Sequence, residues 1–318
     1  MRVMLAYDGS AGAEAARDLL AVLALPDGSA ITLVAALEKG PELFGASEFA
    51  VVPHDAAESE EMLVADLQEM LHAAAAPLRG AGRSIDTRVA RGRPSTAILE
   101  EAGALLPDLL VIGSRGHGPL ASVLLGSVST EVVDHAPCPV LVARQPSVHR
   151  VVLGVDGSES SQYAVATMRA WPIFHGLPTR VVTVAPDAPL WAATMSSGLY
   201  PAWAESRPTT AGPEREALLG VARRTADALL ADGTPTTIEL RGGDPADELI
   251  KAAAADQADL IAVGSRGLST LPRLVLGSVA RKVLLHAPQS VLVVRQARER
   301  VKRSEPITAG ELIASALA

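Results

Sequence analysis

The chain repeats part of its own sequence after 151 residues. Residues 113–144 and 264–295 align without a gap, and 17 of the 32 aligned positions are identical. An offset of this size matches the length of a globular domain and is far longer than one unit of a solenoid repeat. The 318 residues therefore predict two domains of one fold, at residues 1–146 and 147–297, followed by a tail at 298–318. Gln145–Arg150 forms the linker.

Each half alternates short apolar strands with helical segments. The first strands, within Val3–Ser10 and Val151–Ser158, both run into an Asp-Gly-Ser corner. The fourth strands, Asp108–Ile112 and Asp259–Val263, both run into a glycine-containing loop. Alternation of this kind predicts an α/β fold with a parallel sheet, and right-handed crossovers place helices on both faces of that sheet.

The glycine-containing loop is the clearest candidate site. In each half three glycines and a serine keep the spacing Gly-x2-Gly-x9-Gly-Ser, which are Gly113, Gly116, Gly126 and Ser127, then Gly264, Gly267, Gly277 and Ser278. The first glycine ends a strand and the last Gly-Ser opens a helix. Helix starts carry unpaired N–H groups and partial positive charge, and glycines let phosphate oxygens approach the backbone. The two serines are predicted either to cap the helix or to donate to a phosphate.

The Asp-Gly-Ser corners belong to the same predicted site. Ligands of doubly wound sheets bind beyond the carboxyl ends of the strands, where the strand order reverses. If the first and fourth strands are neighbours, Asp8 faces the Gly113–Ser127 loop and Asp156 faces the Gly264–Ser278 loop. A carboxylate there suits a Mg²⁺ ion or a ribose hydroxyl. Tight packing of the glycines and simple helix capping are the structural alternatives, and the presence of two full copies favours a functional site.

These motifs make the chain resemble a tandem universal stress protein over about residues 1–296. Both halves carry the glycine signature, and both carry His-Ala-Pro before the last strand, at His135–Pro137 and His286–Pro288. The resemblance implies two Rossmann-like, flavodoxin-like doubly wound domains, each a five-stranded parallel sheet in the order 3-2-1-4-5 with helices on both faces. It also implies that the domains pair through their last strands, Val140–Val142 and Val291–Val293.

The resemblance further implies that ATP binds at the switch point of each domain. Asp8 and Asp156 would lie beside the sugar and any Mg²⁺ ion that the phosphates bring with them. The phosphates would be lined by Gly113, Arg115, Gly116, Gly126, Ser127 and Val128 in the first site, and by Gly264, Arg266, Gly267, Gly277, Ser278 and Val279 in the second. The adenine would lie near the ends of the second strands, at Ala36 and Ala185.

Charged residues distinguish the two predicted sites. The nine variable residues hold His117 in the first loop and Arg273 in the second, and the helix that follows holds Glu131 in the first half but Arg281 and Lys282 in the second. If these cations serve a bound triphosphate, the second site binds ATP more tightly than the first. The alternative is that they face solvent, where single charges have little effect.

Composition narrows the classes of partner and compartment. The net charge is −8 and aromatic residues make up 3% of the chain, which argues against nucleic acid and against anionic membrane surfaces. Cys138 is the only cysteine, as expected in a reducing compartment. We find neither a signal-peptide pattern nor an apolar run long enough to cross a bilayer, so the sequence predicts a cytoplasmic protein.

Enzyme signatures are missing from the sequence. It has no Gly-x4-Gly-Lys-Ser/Thr loop, no Gly-x-Gly-x2-Gly after the first strand and no zinc-ligand spacing. We therefore predict an ATP-binding regulatory sensor of stress. The alternatives are a weak ATPase or phosphotransferase that uses the same residues, and a structural dimer module. The sequence leaves open whether two chains form a homodimer.

Overall fold

The structure is a computed structural model that describes residues 1–38, 56–80, 82–116, 125–185, 212–267 and 276–296. His117, Arg273 and the tail at 298–318, which the sequence analysis singled out, lie outside the described residues. Within those ranges, no helix is both long enough and apolar enough to cross a membrane.

The first half contains five strands and four described helices in alternation. They are β1 (Arg2–Ala6), α1 (Ala11–Val22), β2 (Ala30–Leu37), α2 (Ala56–Ala75), β3 (Ser84–Arg91), α3 (Pro94–Leu105), β4 (Leu109–Gly113), α4 (Ser127–His135) and β5 (Val140–Ala143). The second half repeats this order with β6 (Val151–Gly154), α5 (Glu159–Ala170), β7 (Thr179–Ala185), α6 (Pro213–Ala231), β8 (Thr236–Gly242), α7 (Pro245–Ala255), β9 (Leu260–Gly264), α8 (Ser278–His286) and β10 (Ser290–Val294).

All ten strands form one sheet, in the order β3-β2-β1-β4-β5-β10-β9-β6-β7-β8. Each half by itself has the parallel 3-2-1-4-5 order expected of the fold class. The halves meet where β5 pairs antiparallel with β10, with Leu141 opposite Leu292. Both last strands are therefore interior strands of a continuous sheet, and neither leaves unpaired backbone groups at an edge.

Burial on both faces explains why the strands are so apolar. Successive side chains of a strand point to opposite faces, and on β1 both Met4 and Leu5 are fully buried, each in a different core cluster. One face packs against α1, α2, α5 and α6, and the other against α3, α4, α7 and α8. The helical residues that fill these layers include Leu19, Leu71, Met168 and Leu229 on the first face, and Ile98, Val132, Leu249 and Val283 on the second.

Two arginines tie the halves together beside the β5–β10 pair. Arg144, just after β5, donates to the carbonyl oxygens of Leu284 at 2.6 Å and Gln289 at 3.1 Å, around the end of α8. Arg295, just after β10, donates to the carbonyl oxygen of Ala136 at 3.0 Å, just past the end of α4. The last carbonyls of a helix lack intrahelical partners and carry partial negative charge. Each arginine thus caps a helix of the other half.

Cys138 lies in the core, where burial raises the pKa of its thiol to about 12. Because the thiolate is the reactive form, we expect the folded protein to resist an aromatic disulfide reagent at pH 8. The urea-unfolded chain should release one equivalent of chromophore, since Cys138 is the only cysteine. Absorbance kinetics measure both reactions, and equally fast labelling of the folded protein would contradict this burial.

Candidate functional site

The corner after β1 and the loop after β4 lie side by side, because those two strands are parallel neighbours. The Asp8 carboxylate faces the loop: its Oδ2 atom is 2.7 Å from the place that a Cβ on Gly116 would occupy. In the second half Oδ2 of Asp156 is 3.0 Å from the corresponding place on Gly267. In both halves a carboxylate oxygen therefore lies directly against the second glycine, with no side chain between them.

The Asp-Gly-Ser corner also caps a helix, so both predicted roles occur in one motif. Ser10 is the N-cap of α1, and its Oγ accepts a hydrogen bond from the Ala13 amide at 3.2 Å. The other carboxylate oxygen of Asp8 accepts from the amide of Ser10 at 3.0 Å and from its hydroxyl at 2.6 Å. Gly9 between them has a φ of +75°, which favours glycine. The corner therefore orients the carboxylate and starts the helix.

The first glycine of each loop serves close packing. A Cβ on Gly113 would lie 2.4 Å from the carbonyl carbon of Gly12 in α1, and one on Gly264 would lie 2.6 Å from that of Ser160 in α5. Real Cβ atoms do not approach backbone this closely. The strand end therefore rests on the first turn of the helix, and a phosphate contact at these two glycines stays a prediction.

The helix start after the loop presents its amides at the same edge of the sheet. Gly126 is the N-cap of α4, and its own amide donates to the carbonyl oxygen of Ser114 at 2.8 Å. The amides of Ser127, Val128 and Ser129 have no acceptor among the described residues. The N–H of Gly126 is therefore already bound within the protein, and what suits this residue to the site is that it has no side chain. The alternative in which Ser127 caps the helix is wrong, since Ser127 is the first helical residue.

The second half builds the same helix start. Gly277 is the N-cap of α8, and its amide donates to the carbonyl oxygen of Ser265 at 2.8 Å. Ser278 is again the first helical residue, so it does not cap the helix either. Its amide and that of Val279 have no acceptor within the part of the chain that the structure describes. Both halves therefore combine a carboxylate, glycine backbone at the second and third glycines, and helix-start amides that have no acceptor among the described residues.

The predicted adenine residues are not equivalent in the two halves, and an adenine contact at either of them stays a prediction. The registers of β2 on β1 and of β7 on β6 make Val184 the counterpart of Ala36, and Leu37 the counterpart of Ala185. Because side chains alternate along a strand, Ala36 and Ala185 point to opposite faces of the sheet. The second strands share no motif, so the sequence offered no means of aligning them.

Two of the charged residues that distinguish the halves, Glu131 and Lys282, bind residues at the start of a neighbouring helix. Glu131 of α4 pairs with Arg93 at 3.2 Å, just before α3. Lys282 of α8 pairs with Asp244 at 3.1 Å and with Asp247 at 2.8 Å, around the start of α7. Arg93 and Asp244 are equivalent residues, as are Glu131 and Lys282, so one interhelical contact is kept with the signs exchanged.

Arg281 binds the other half of the chain. Its guanidinium donates to both carboxylate oxygens of Asp134, at 2.8 and 3.0 Å, at the end of α4. With Arg281 and Lys282 both bound to carboxylates, the hypothesis of a tighter second site loses two of the three cations on which it rested. His117 and Arg273, the other distinguishing pair, lie outside the described residues.

Sequence reasoning missed the residue that packs under the loop. In the first half this residue is Gly12, and a Cβ there would lie only 2.2 Å from the carbonyl oxygen of Arg115. In the second half it is Ser160, whose Oγ accepts a hydrogen bond from the Arg266 amide at 3.1 Å. The sequence does show Asp-Gly-Ser-x-Gly against Asp-Gly-Ser-x-Ser, but nothing local links those residues to a loop over 100 residues away.

Fold and site together define a tandem protein of two doubly wound α/β domains, each with a glycine loop against a helix start and a facing carboxylate. The universal stress protein family matches the chain twice, over residues 1–144 and 147–295. The chain belongs to the universal stress protein family.

Individual relatives agree with this assignment. A universal stress protein of Thermus aquaticus is 38% identical over 144 residues, which are 45% of this chain and 97% of the relative. One from Mycolicibacterium smegmatis is 29% identical over 221 residues, 67% of this chain and 70% of the relative. The crystal structure of a universal stress protein from Archaeoglobus fulgidus superimposes with a TM-score of 0.62 at 18% identity, covering 92% of this chain and 98% of that one. At this identity the likeness shows the fold alone.

Proposed function

We propose that this protein binds ATP at the glycine loops and acts as a regulatory sensor of nucleotide state in a stress response. The observation that carries the proposal is the meeting of three features at the strand-order reversal of each half. They are an oriented carboxylate, glycine backbone at the second and third glycines of the signature, and helix-start amides without acceptors in the described ranges. Such amides bind phosphate oxygens well, and the reversal point is where doubly wound sheets bind ligands.

The carboxylates restrict how ATP would be held. An Asp8 side chain placed directly beside phosphates would repel them unless a ribose hydroxyl or a Mg²⁺ ion stood between. In the described residues no group of three or more His, Cys, Asp or Glu side chains could hold a metal ion. We infer that any Mg²⁺ would be held mainly by phosphate oxygens and water, with Asp8 or Asp156 as a single protein ligand.

A regulatory role follows from where the site lies. The variable residues between the second and third glycines join, in sequence, the loop backbone and the helix start that would contact the phosphates. Occupation of the site would therefore favour one arrangement of this edge of the sheet, and a partner that binds that arrangement would respond to nucleotide. Release of phosphate from ATP separates this role from the enzyme alternative, because a sensor should turn over far more slowly than the roughly 1 per second at the low end of typical enzymes.

Gly126→Ala is a clean test of ATP binding in the first half. The added methyl group would lie 3.6 Å from the carbonyl oxygen of Ser114 and 3.9 Å from the amide nitrogen of Gly116, so it causes no clash. It would, however, occupy the crevice between the helix start and the loop. We expect the ATP affinity of one site to fall by about tenfold or more, since shielding phosphate contacts costs over 1 kcal/mol.

Isothermal titration calorimetry measures the affinity, and thermal unfolding checks that Gly126→Ala is folded. Gly103→Ala is the matched control, because a Cβ there meets nothing within 4 Å and it lies in α3, away from the loop. The parent protein should also release nucleotide when it is denatured, in a measurable ratio per chain. A parent that neither carries nor binds ATP would overturn the proposed function.

A further inference from the structure

The interface between the halves is built around a pseudo-two-fold axis. Leu141 of β5 lies opposite Leu292 of β10, and these two leucines are equivalent residues of the repeat. An interface with such an axis presents the same surface from both sides. If the halves were identical, each could pair equally well with a copy of itself. The residues that differ between the halves therefore decide which halves pair.

One polar contact across this interface joins two side chains that differ between the halves. The Arg281 guanidinium of α8 donates to both carboxylate oxygens of Asp134 at the end of α4, at 2.8 and 3.0 Å. The equivalent of Arg281 in the first half is Thr130, and the equivalent of Asp134 in the second half is Leu285. All four side chains line one cavity between α4 and α8. The axis thus relates an ion pair on one side to a threonine and a leucine on the other.

Only the pairing of unlike halves forms this ion pair. Two first halves would bring Asp134 against Thr130 of the other copy, and two second halves would bring Arg281 against Leu285. The first arrangement leaves the carboxylates without the arginine that binds them here, and the second leaves the guanidiniums without their carboxylate. The side chain of Asp134 is only 18% exposed, so water replaces its lost partner incompletely.

Interdomain contacts that end on the backbone do not make this choice. Arg144 and Arg295 are equivalent residues, and both donate to backbone carbonyl oxygens of the other half, so every pairing supplies an arginine on each side. Ser290 accepts from the Arg144 amide at 3.1 Å, and its equivalent is Pro139. Two second halves would form this bond twice and two first halves would not form it, so an exchange of partners between two chains leaves its number unchanged. The ion pair, in contrast, is lost in both exchanged pairings.

We propose that Asp134 and Arg281 determine which halves pair, and that they direct the last strand of the first half to the second half of its own chain rather than to a second copy. Each pairing of like halves loses the ion pair and places like charges on both sides of one axis, which disfavours the wrong partner. The short linker Gln145–Arg150 then favours the same chain, because it keeps the second half at a high effective concentration. This selection involves no nucleotide and is independent of the proposed ATP binding.

Transposing equivalent residues tests the proposal in the full chain at constant composition. Thr130→Arg together with Arg281→Thr leaves Asp134 without a partner when unlike halves pair, whereas two first halves would now form two ion pairs. Asp134→Leu together with Leu285→Asp does the same for two second halves. We expect each double variant to dimerise, so that light scattering during gel filtration gives twice the mass measured for the parent.

The single substitutions and their full combination are the controls. Thr130→Arg alone or Arg281→Thr alone gives like and unlike pairings the same number of ion pairs, so the linker should keep the mass at that of the parent. All four substitutions together move the ion pair to the other side of the axis and should also restore the mass of the parent. If a double variant that is folded by circular dichroism keeps the mass of the parent, or if the fourfold variant dimerises, the proposed selection is overturned. Should one double variant not fold, the other decides the outcome.

Discussion

The free energy of unfolding of Gly113→Ala should be about 3 kcal/mol lower than that of the parent protein. This value is near the upper end of what overpacking costs in a close-packed interior. The new Cβ would lie 2.4 Å from the carbonyl carbon and 2.5 Å from the carbonyl oxygen of Gly12, and 2.8 Å from the Ala13 amide nitrogen. All three are backbone atoms, which cannot rotate aside as a side chain can. To relieve the contact, β4 and α1 must separate, and the site lies between their ends.

Urea unfolding followed by circular dichroism measures the loss. Gly103→Ala introduces the same methyl group into helix α3, where it meets nothing within 4 Å. That control should gain stability, by about 0.5–1 kcal/mol, because alanine is the better helix former. Gly264→Ala should behave like Gly113→Ala, since its Cβ would lie 2.6 Å from the backbone of α5. Equal stability of Gly113→Ala and the parent would show that the strand end does not rest on the helix.

Arg144→Met should destabilise the protein by about 2–4 kcal/mol. The guanidinium is largely buried, and burial lowers its pKa to about 10, which still leaves it charged at neutral pH. Methionine fills similar space but leaves the carbonyl oxygens of Leu284 and Gln289 without their donor. Unpaired buried acceptors cost about 1–3 kcal/mol each, and the favourable charge at the end of α8 is lost as well.

An arginine-to-methionine substitution at an exposed position shows how much of the effect comes from the loss of a buried guanidinium rather than from the change of residue type. Arg223→Met removes an exposed arginine whose ion pair with Glu216 lies on the surface, and it should change stability by less than about 1 kcal/mol. Arg295→Met should match Arg144→Met, since it leaves carbonyl oxygens at the end of α4 unpaired. Chemical denaturation ranks the three variants. If Arg144→Met is no worse than Arg223→Met, the interdomain capping contributes nothing to stability.

The fold was predictable because the signals that define it are local and occur twice. Alternation of apolar strands with helices, together with two copies of one loop, indicates a parallel sheet in each half. The facing of Asp8 and Gly116 followed from strand order, since parallel neighbours end at the same edge. Ala36 and Ala185 were chosen one register position apart because β2 and β7 share no motif that aligns them.

The destinations of charged side chains were not predictable. The sequence shows Glu131 replaced by Lys282 but does not show that Arg93 is replaced by Asp244 across the same contact. Those partners come from other helices, and Asp134, which binds Arg281, comes from the other half of the chain. Pairs of this kind depend on how elements pack, and no periodic pattern records them.

By itself, the sequence determined two α/β domains, the edge of each sheet where a ligand would bind, and the residue types that meet there. Only the tertiary structure decided the difference between the halves. Ser160 and Arg266 are 106 residues apart in the chain, and the hydrogen bond between their hydroxyl and amide has no counterpart in the first half, where glycine stands at position 12. Such a contact forms only when the folded chain brings α5 against the loop after β9, and no local pattern in the sequence encodes it.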